Sequence, residues 1–229
     1  MFIDVVILSY TVDVNFYNLT KQTIETLIAS EPDIDFRICI VETNSKYQEN
    51  GFIYENCKVV CPNESFNYNR FLNIGLSQYQ DISDWVLILN NDLNFCQKNW
   101  LKNILKVHRE HPEILSFSPF EPVWHTTFKK IPTEEDFYLG YTTGAHLTGW
   151  CLLIRNDVLK IIGPFDEKFT FWYQDRDYSE MLKKHNIKHA LVTTSHVRHL
   201  HSQSRRLLKN QYDMTKGLLK TFEEKWHES

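Results

Sequence analysis

The stretch DWVLILNND, residues 84–92, joins the most hydrophobic strand candidate of the chain to three polar residues. Two other apolar, β-branched runs precede it, VVIL at residues 5–8 and FRICIV at residues 36–41, and an amphipathic segment at residues 19–29 lies between those two. This order predicts a strand, a helix and a strand that continue into further strands and helices. Such alternation is typical of an α/β fold with a mostly parallel central sheet flanked by helices.

The same patterns place the remaining elements along the chain. Further strands are predicted at residues 58–60, 150–154 and 190–192, and further helices at residues 68–77, 100–111, 157–162, 175–185 and 205–226. Residues 120–148 contain Pro and Gly at four positions and are predicted to be irregular. The terminal helix is amphipathic, because its apolar positions are spaced by three and four residues.

Length and composition fit a folded protein with one core. The chain has 229 residues, of which 42% are hydrophobic and 24% charged, which excludes a disordered or fibrous protein. One domain over residues 1–229 is expected. The net charge of −4 argues against a nucleic-acid partner, so that an anionic ligand would need a local site.

The cysteines and the N-terminus indicate a compartment. Five cysteines without a CxxC pair favour neither a disulfide framework nor a zinc ribbon, and indicate a reducing environment. Asp4 interrupts the first apolar stretch, no basic segment precedes that stretch, and no apolar run approaches about 20 residues. A cytoplasmic location is therefore expected, unless a partner or a surface helix holds the protein at a membrane.

The polar residues that follow the strand at residues 85–89 are the first candidate site. In open parallel sheets ligands bind beyond the carboxyl ends of the strands. Asp92 could hold a divalent cation there, with Asn90 and Asn91 as neutral neighbours. The alternative is a polar turn between a strand and a loop, which any short Asn/Asp cluster also fits.

Three consecutive segments favour the cation site at residues 90–92 over the simple polar turn. They read TGWCLLIR at residues 148–155, IGPFDEKF at residues 162–169 and FWYQDRDYS at residues 171–179. In this order they resemble glycosyltransferase family 2, the inverting nucleotide-sugar transferases of GT-A fold, in which a small-residue strand precedes Gly-x-Phe-Asp-Glu-x-Phe and Glu-Asp-x-Asp. Upstream, ILSY at residues 7–10, VETNS at residues 41–45 and NND at residues 90–92 also match the family pattern. The resemblance extends from the N-terminus to about Ser204.

The resemblance implies a metal ion and a catalytic base. Asp92 would bind Mn²⁺ or Mg²⁺ that bridges to the nucleotide diphosphate, and His199 would complete the metal site. With ten His residues in the chain, His199 could also be a chance neighbour, with His196 and His201 behind it. Asp175 would be the base that deprotonates the acceptor hydroxyl, and the alternative is a helix cap.

The resemblance also implies contacts to both substrates. Glu42 would accept hydrogen bonds from the imide N–H of the nucleobase and from the ribose hydroxyls of the donor. The alternative is that Glu42 is a solvated acid. The other candidate nucleotide-sugar contacts are Ser9, Tyr10, Asn69, Asn73, Asn90 and Asn91. Asn73 could equally be an amide that packs the helix. Gly149 and Trp150 would meet the acceptor, although a core Trp is nearly as good an explanation.

Three departures from the family pattern keep other functions open. Glu42 replaces an Asp, Asn90 replaces the first acid of the metal motif, and Gln174 replaces the Glu before the base. A nucleotide-sugar-binding protein of the same fold without turnover is therefore one alternative. A sugar-phosphate nucleotidyltransferase is another, but residues 9–13 contain neither Gly nor Lys, which argues against it.

The implied organisation has three parts. Residues 1–95 would bind the nucleotide-sugar donor, residues 96–204 would hold the acceptor and the base, and residues 205–229 would form the terminal helix. That helix would pack against the sheet or against a second subunit, as in a homodimer. Alternatively, the basic residues of this helix would contact a membrane surface, where the acceptor would be linked to a lipid. Without a membrane contact, the expected acceptor is a glycan.

Overall fold

The computed structural model of the chain describes residues 1–200, 215 and 217–227. The described strands are β1 (Phe2–Ser9), β2 (Asp35–Glu42), β3 (Cys57–Val60), β4 (Trp85–Asn90), β5 (Leu93–Asn94), β6 (Ile114–Phe120), β7 (Phe137–Leu139), β8 (Cys151–Arg155), β9 (Lys188–His196) and β10 (Arg198–His199). The described helices are α1 (Val14–Ser30), α2 (Tyr68–Leu76), α3 (Trp100–Glu110), α4 (Asn156–Ile162), α5 (Gln174–Lys184) and α6 (Leu218–Trp226). A 3₁₀ turn at Tyr47–Asn50 and a π-helical turn at Trp124–Phe128 complete the described elements.

Eight of the described strands form one sheet in the order β3-β2-β1-β4-β8-β6-β9-β7. β1 to β4 run parallel, β8 is antiparallel to both of its neighbours, and β6 and β9 are parallel to each other. The predicted α/β fold with a mostly parallel sheet is confirmed. The register pairs Ser9 with Glu42 and Leu8 with Asn90, so that the carboxyl ends of three central strands lie at one edge of the sheet.

Two apolar layers enclose the sheet. Alternate residues of β1 point into different layers: Val5 and Ile7 pack with α1 and α3, whereas Val6 and Leu8 pack with α2, α4 and α5. β1 and β4 are therefore apolar on both faces, which explains their continuous hydrophobic runs. No helix in the described ranges is long and apolar enough to cross a bilayer.

The sequence-based assignment omits four strands, the two-residue β5 and β10 and the longer β6 and β7. β6 has no continuous apolar run, because Ser116, Ser118 and Pro119 interrupt it. The two hydroxyls lie 2.8 Å and 3.3 Å from the ring nitrogens of His189 in β9, so the polar positions of β6 are paired within the core. β7 lies inside the segment predicted to be irregular and is only three residues long.

The predicted terminal helix is seen in part. α6 covers its last nine residues, and residues 201–214 and 216 lie outside the described residues. The predicted roles of His201 and of the basic residues Arg205, Arg206, Lys209 and Lys216 therefore fall outside the described structure.

Candidate active site at the carboxyl edge of the sheet

The end of β4 and the start of β8 lie side by side and form the centre of the candidate site. The backbone N–H of Asn90 donates to the carbonyl of Trp150 at 2.9 Å. The chain then turns through Asn91 and Asp92 into β5, and the Asp92 side chain is almost fully buried. The predicted cation ligand thus lies directly beside the predicted acceptor residues.

A small antiparallel pair of strands brings His199 to Asp92. β10 pairs with β5 so that His199 lies opposite Leu93, and the N–H of Leu200 donates to the Asp92 carbonyl at 2.8 Å. The Nε2 atom of His199 is 3.1 Å from Oδ1 of Asp92. These two predicted ligands, 107 positions apart in the chain, are neighbours in the fold.

A carboxylate beside an imidazole is a donor set that suits Mn²⁺, and the residues present fit the implied cation. Among the described residues no group of three His, Cys, Asp or Glu side chains forms a complete metal centre. A cation held by Asp92 and His199 would have coordination positions left for other ligands such as substrate oxygens or water, which Mg²⁺ and Mn²⁺ commonly bind.

Trp150 packs on this pair. Its indole stacks on the His199 ring with a centroid distance of 5.4 Å and an interplanar angle of 14°. The side chain is partly exposed, so that it lines the site as well as contacting the core. Trp150 thereby restricts the orientation of the imidazole and leaves part of its own ring accessible.

Asp175 contacts Gly149, the residue directly before Trp150. A Cβ atom on Gly149 would lie 2.0 Å from Oδ1 of Asp175, so only glycine permits this approach. The Gly149 N–H donates to the carboxylate, and burial nevertheless raises the pKa of Asp175 to about 6. Asp175 is not the cap of α5, because Tyr173 occupies that position.

The Asp175 carboxylate faces a small, mostly apolar pocket. The residues that line it come from α2, β4, β8, α5 and the loops beside them: Tyr68, Asn69, Leu72, Ile88, Gly149, Leu152, Phe165, Gln174, Asp175 and Tyr178. Asp175 is the single carboxylate among these described residues. An apolar wall explains the raised pKa, and a raised pKa in a cleft is typical of functional acids and bases.

Glu42 is fully buried at the end of β2 and is not a solvated acid. Its Oε1 accepts hydrogen bonds from the backbone N–H groups of Thr11 and Asn44, both at 2.9 Å. Its Oε2 is buried without a hydrogen-bond partner among the described residues. Burial raises the pKa of Glu42, whereas the two amides and the nearby hydroxyls of Thr11 and Ser9 oppose that shift. This oxygen has almost no accessible surface, so a ligand N–H could donate to it only if the residues that cover it move.

Ser9 and Asn91 belong to a buried chain of hydrogen bonds under the sheet edge. It runs from Tyr54 through Thr11, Ser9 and Thr20 to the Asn91 amide, with separations of 2.7 to 3.1 Å. The side chains of Ser9 and Asn91 are thus engaged within the protein. Their contact with a nucleotide stays a prediction, as does that of the partly buried Tyr10.

Asn69 and Asn73 on α2 hold the loop that precedes α5. Asn73 donates to the Phe165 carbonyl and accepts from the Phe165 N–H, which matches the packing alternative. Asn69 donates to the Asp166 carbonyl at 2.8 Å, but its Oδ1 is buried without a partner among the described residues. Asn69 also lines the Asp175 pocket, and is the better placed of the two for a ligand.

Sequence reasoning missed three side chains that shape this site. Thr20 and Thr23 on α1 and Lys225 on α6 are far from the recognised motifs. A threonine pair on the buried side of a helix could have drawn attention, since buried hydroxyls need partners. Nothing in the sequence links Lys225 to Asp177.

Comparisons with known proteins identify the fold, through similarity to solved structures. No family model and no curated protein matches the sequence. The catalytic domain of Drosophila β-1,4-galactosyltransferase 7 in complex with xylobiose is similar over 93% of this chain and 79% of that one, with a TM-score of 0.57 and 15% identity. A mutant of the Drosophila enzyme with manganese, UDP-Gal and xylobiose gives the same coverage and identity, with a TM-score of 0.55. The chain has the GT-A fold.

Proposed function

We propose that this protein is a metal-dependent inverting glycosyltransferase that moves a sugar from a nucleotide-sugar donor to an acceptor hydroxyl. The observation that carries the proposal is the position of Gly149 and Trp150. Trp150 stacks on His199 of the Asp92–His199 pair, and Gly149 touches the Asp175 carboxylate. One dipeptide therefore joins a cation-binding pair to a candidate base, as a group transfer requires.

The Asp92–His199 pair is the proposed position of Mn²⁺ or Mg²⁺. When bound, the cation would neutralise the charge of the departing nucleoside diphosphate. Asn90, two residues before Asp92, is neutral and adds no second negative charge there. The similar Drosophila structure contains manganese and UDP-Gal, which supports a divalent cation and a nucleotide-sugar donor.

Asp175 is the proposed base. With a pKa of about 6 it is ionised at neutral pH and still basic enough to accept a proton from an attacking hydroxyl. If Asp175 acts as the base, no other carboxylate among the described lining residues is left to act as a nucleophile for a covalent sugar intermediate. A single displacement inverts the anomeric configuration.

Glu42 and the acceptor face complete the proposal. The unpaired Oε2 of Glu42 would accept the N–H of an imide-type base such as uracil. Trp150, beside Gly149, would pack against an acceptor sugar ring. The similar structures contain xylobiose, which supports a saccharide acceptor, either a glycan or a lipid-linked sugar.

The metal assignment predicts a defined binding defect in Asp92→Ala. UDP, GDP and dTDP are tested for thermal stabilisation with and without Mn²⁺, since a ligand that binds only the folded state raises the melting temperature. We expect at least one nucleotide to stabilise the wild type only with Mn²⁺, and Asp92→Ala to lose that increment. Asp157→Ala, at an exposed acid in the first turn of α4, is the control. Stabilisation that needs no metal, or that survives in Asp92→Ala, would contradict the assignment.

A binding protein without turnover is the second candidate. Gln174 favours it, because a neutral amide lines the pocket where family 2 enzymes carry a Glu. The two functions differ in whether acceptor accelerates consumption of the donor. Donor that binds with Mn²⁺ and is never consumed, whichever saccharide acceptor is supplied, would select the second candidate.

A further inference from the structure

The end of α6 contacts the first turn of α5, two residues beyond the proposed base. The Lys225 Nζ atom lies 2.7 Å from Oδ1 of Asp177 and 2.8 Å from Oδ2 of Asp166. The indole N–H of Trp226 donates to the same Asp177 oxygen at 2.8 Å. Asp177 therefore receives two hydrogen bonds from α6 on one oxygen.

Burial makes these contacts costly to lose. Asp177 is 4% exposed, and the Lys225 side chain is 29% exposed. A buried carboxylate that loses its cation is destabilising, whereas an exposed ion pair contributes little. Lys225 also holds Asp166 in the loop before α5, so one ammonium connects two acidic segments.

The residue before α5 has a backbone that needs support. Tyr173 has φ of +69°, a left-handed conformation that non-glycine residues rarely adopt. Its ring packs on Phe222 of α6 at a centroid distance of 5.5 Å, and the Arg176 guanidinium lies over both rings at 4.7 to 5.3 Å. Phe222 is almost fully buried in this contact. α6 thus contacts the chain on both sides of Asp175.

The same lysine is connected to the opposite wall of the pocket. The carbonyl of Asp166 accepts from Asn69, which lines the pocket of Asp175. Lys225 therefore connects, through Asp166 and Asp177, the two segments between which the Asp175 carboxylate lies. A change at Lys225 is expected to alter the distance from the base to the acceptor, whereas Glu42 and the Asp92–His199 pair are not among the contacts described for Lys225.

We propose that Lys225 is a positioning residue that fixes the first turn of α5, and with it Asp175, through the ion pairs to Asp166 and Asp177. The expected effect on turnover rests on the proposed function, whereas the expected effect on the first turn of α5 does not. Residues of α6 act on the site from outside all of the recognised motifs.

The test compares two lysines of the same helix. Lys225→Met removes the ion pairs, and Lys220→Met removes an exposed lysine whose side chain is 80% accessible and pairs only with Glu224 in the described contacts. We expect amide hydrogen exchange at residues 174–178 to be at least about fivefold faster in Lys225→Met and unchanged in Lys220→Met. Lys225→Arg should restore slow exchange, because a cation is again present.

The kinetic readout separates positioning from general stability. In Lys225→Met the value of kcat should fall about tenfold or more with an unchanged donor KM, since a small displacement of a base affects turnover. Trp226→Phe removes the hydrogen bond to Asp177 and leaves a smaller ring beside the Lys184 and Lys225 ammonium groups. It should give a smaller effect in the same direction, and it replaces Lys225→Met as the test if that variant does not fold.

Unchanged exchange at residues 174–178 in both Lys225→Met and Trp226→Phe would overturn the inference. So would exchange that rises while kcat stays at the wild-type value. A wild type without transferase activity would refute the proposed function, and the exchange measurement would still decide whether Lys225 holds α5.

Discussion

Asp175 shows how one residue acquires the properties of a base from its surroundings. Its pKa is raised because the carboxylate is withdrawn from water into an apolar pocket, and one amide, from Gly149, partly opposes the shift. Gln174 beside it is neutral, so like-charge repulsion plays no part at that position. A Glu there would raise the pKa further, which makes the Gln a departure that moderates basicity.

The raised pKa predicts the pH dependence of transfer. A base must be ionised, so kcat/KM should rise with pH up to about 6 with a slope near one on a logarithmic scale, and then level off. The profile is measured from about pH 4.5 to about pH 8, a range that spans this pKa. Mn²⁺ is held at a saturating concentration, so that loss of the cation at low pH does not imitate protonation of Asp175. A rate that is constant from pH 5 to 7 would show that this carboxylate does not titrate in the rate-determining step.

At the scale of elements, α1 supports the turn that carries Asp92. The Thr23 hydroxyl lies 2.9 Å from the Asn91 carbonyl and 3.0 Å from both the carbonyl and the N–H of Leu93. Thr20, one turn earlier, holds the Asn91 side chain at 3.0 Å. One face of α1 therefore fixes the residues on both sides of Asp92, while the sheet fixes the strand before them.

This support predicts that Thr23→Val weakens cation-dependent nucleotide binding. Val has nearly the same shape but cannot bond the backbone beside Asp92, and residues that orient metal ligands are worth about 10–100-fold in affinity. The affinity of the best nucleoside diphosphate is measured by calorimetry with Mn²⁺. Thr193→Val is the matched control, because Thr193 is also buried and donates to one carbonyl, that of Glu135, in a different part of the sheet. Equal affinities in Thr23→Val, Thr193→Val and the wild type would remove α1 from the account.

At the scale of the whole molecule, the sequence predicts what local patterns control. Continuous apolar runs predict β1, β2 and β4, and the register then pairs Ser9 with Glu42 and Leu8 with Asn90, as expected from parallel strands. β6 escapes prediction because its polar residues are satisfied by His189, a partner more than 70 positions away. A pattern cannot show a tertiary partner.

The same division holds for the candidate site. Two separate motifs predict Asp92 and His199, and the fold places their side chains 3.1 Å apart. The support from Thr23 and Lys225 depends on where α1 and α6 pack, which side-chain spacing does not specify. The burial of Glu42, and the pKa shifts of Glu42 and Asp175, likewise arise only once the chain is folded.

Asp175→Asn separates the chemistry, which we assign to one carboxylate, from donor binding, which we assign to other residues. The amide keeps the shape of the side chain and an oxygen that can accept from Gly149, but loses the basicity. We predict that sugar transfer falls about a hundredfold or more while the affinity for the donor with Mn²⁺ stays at the wild-type value. Transfer at the wild-type rate, or a loss explained by weaker donor binding, would contradict the account.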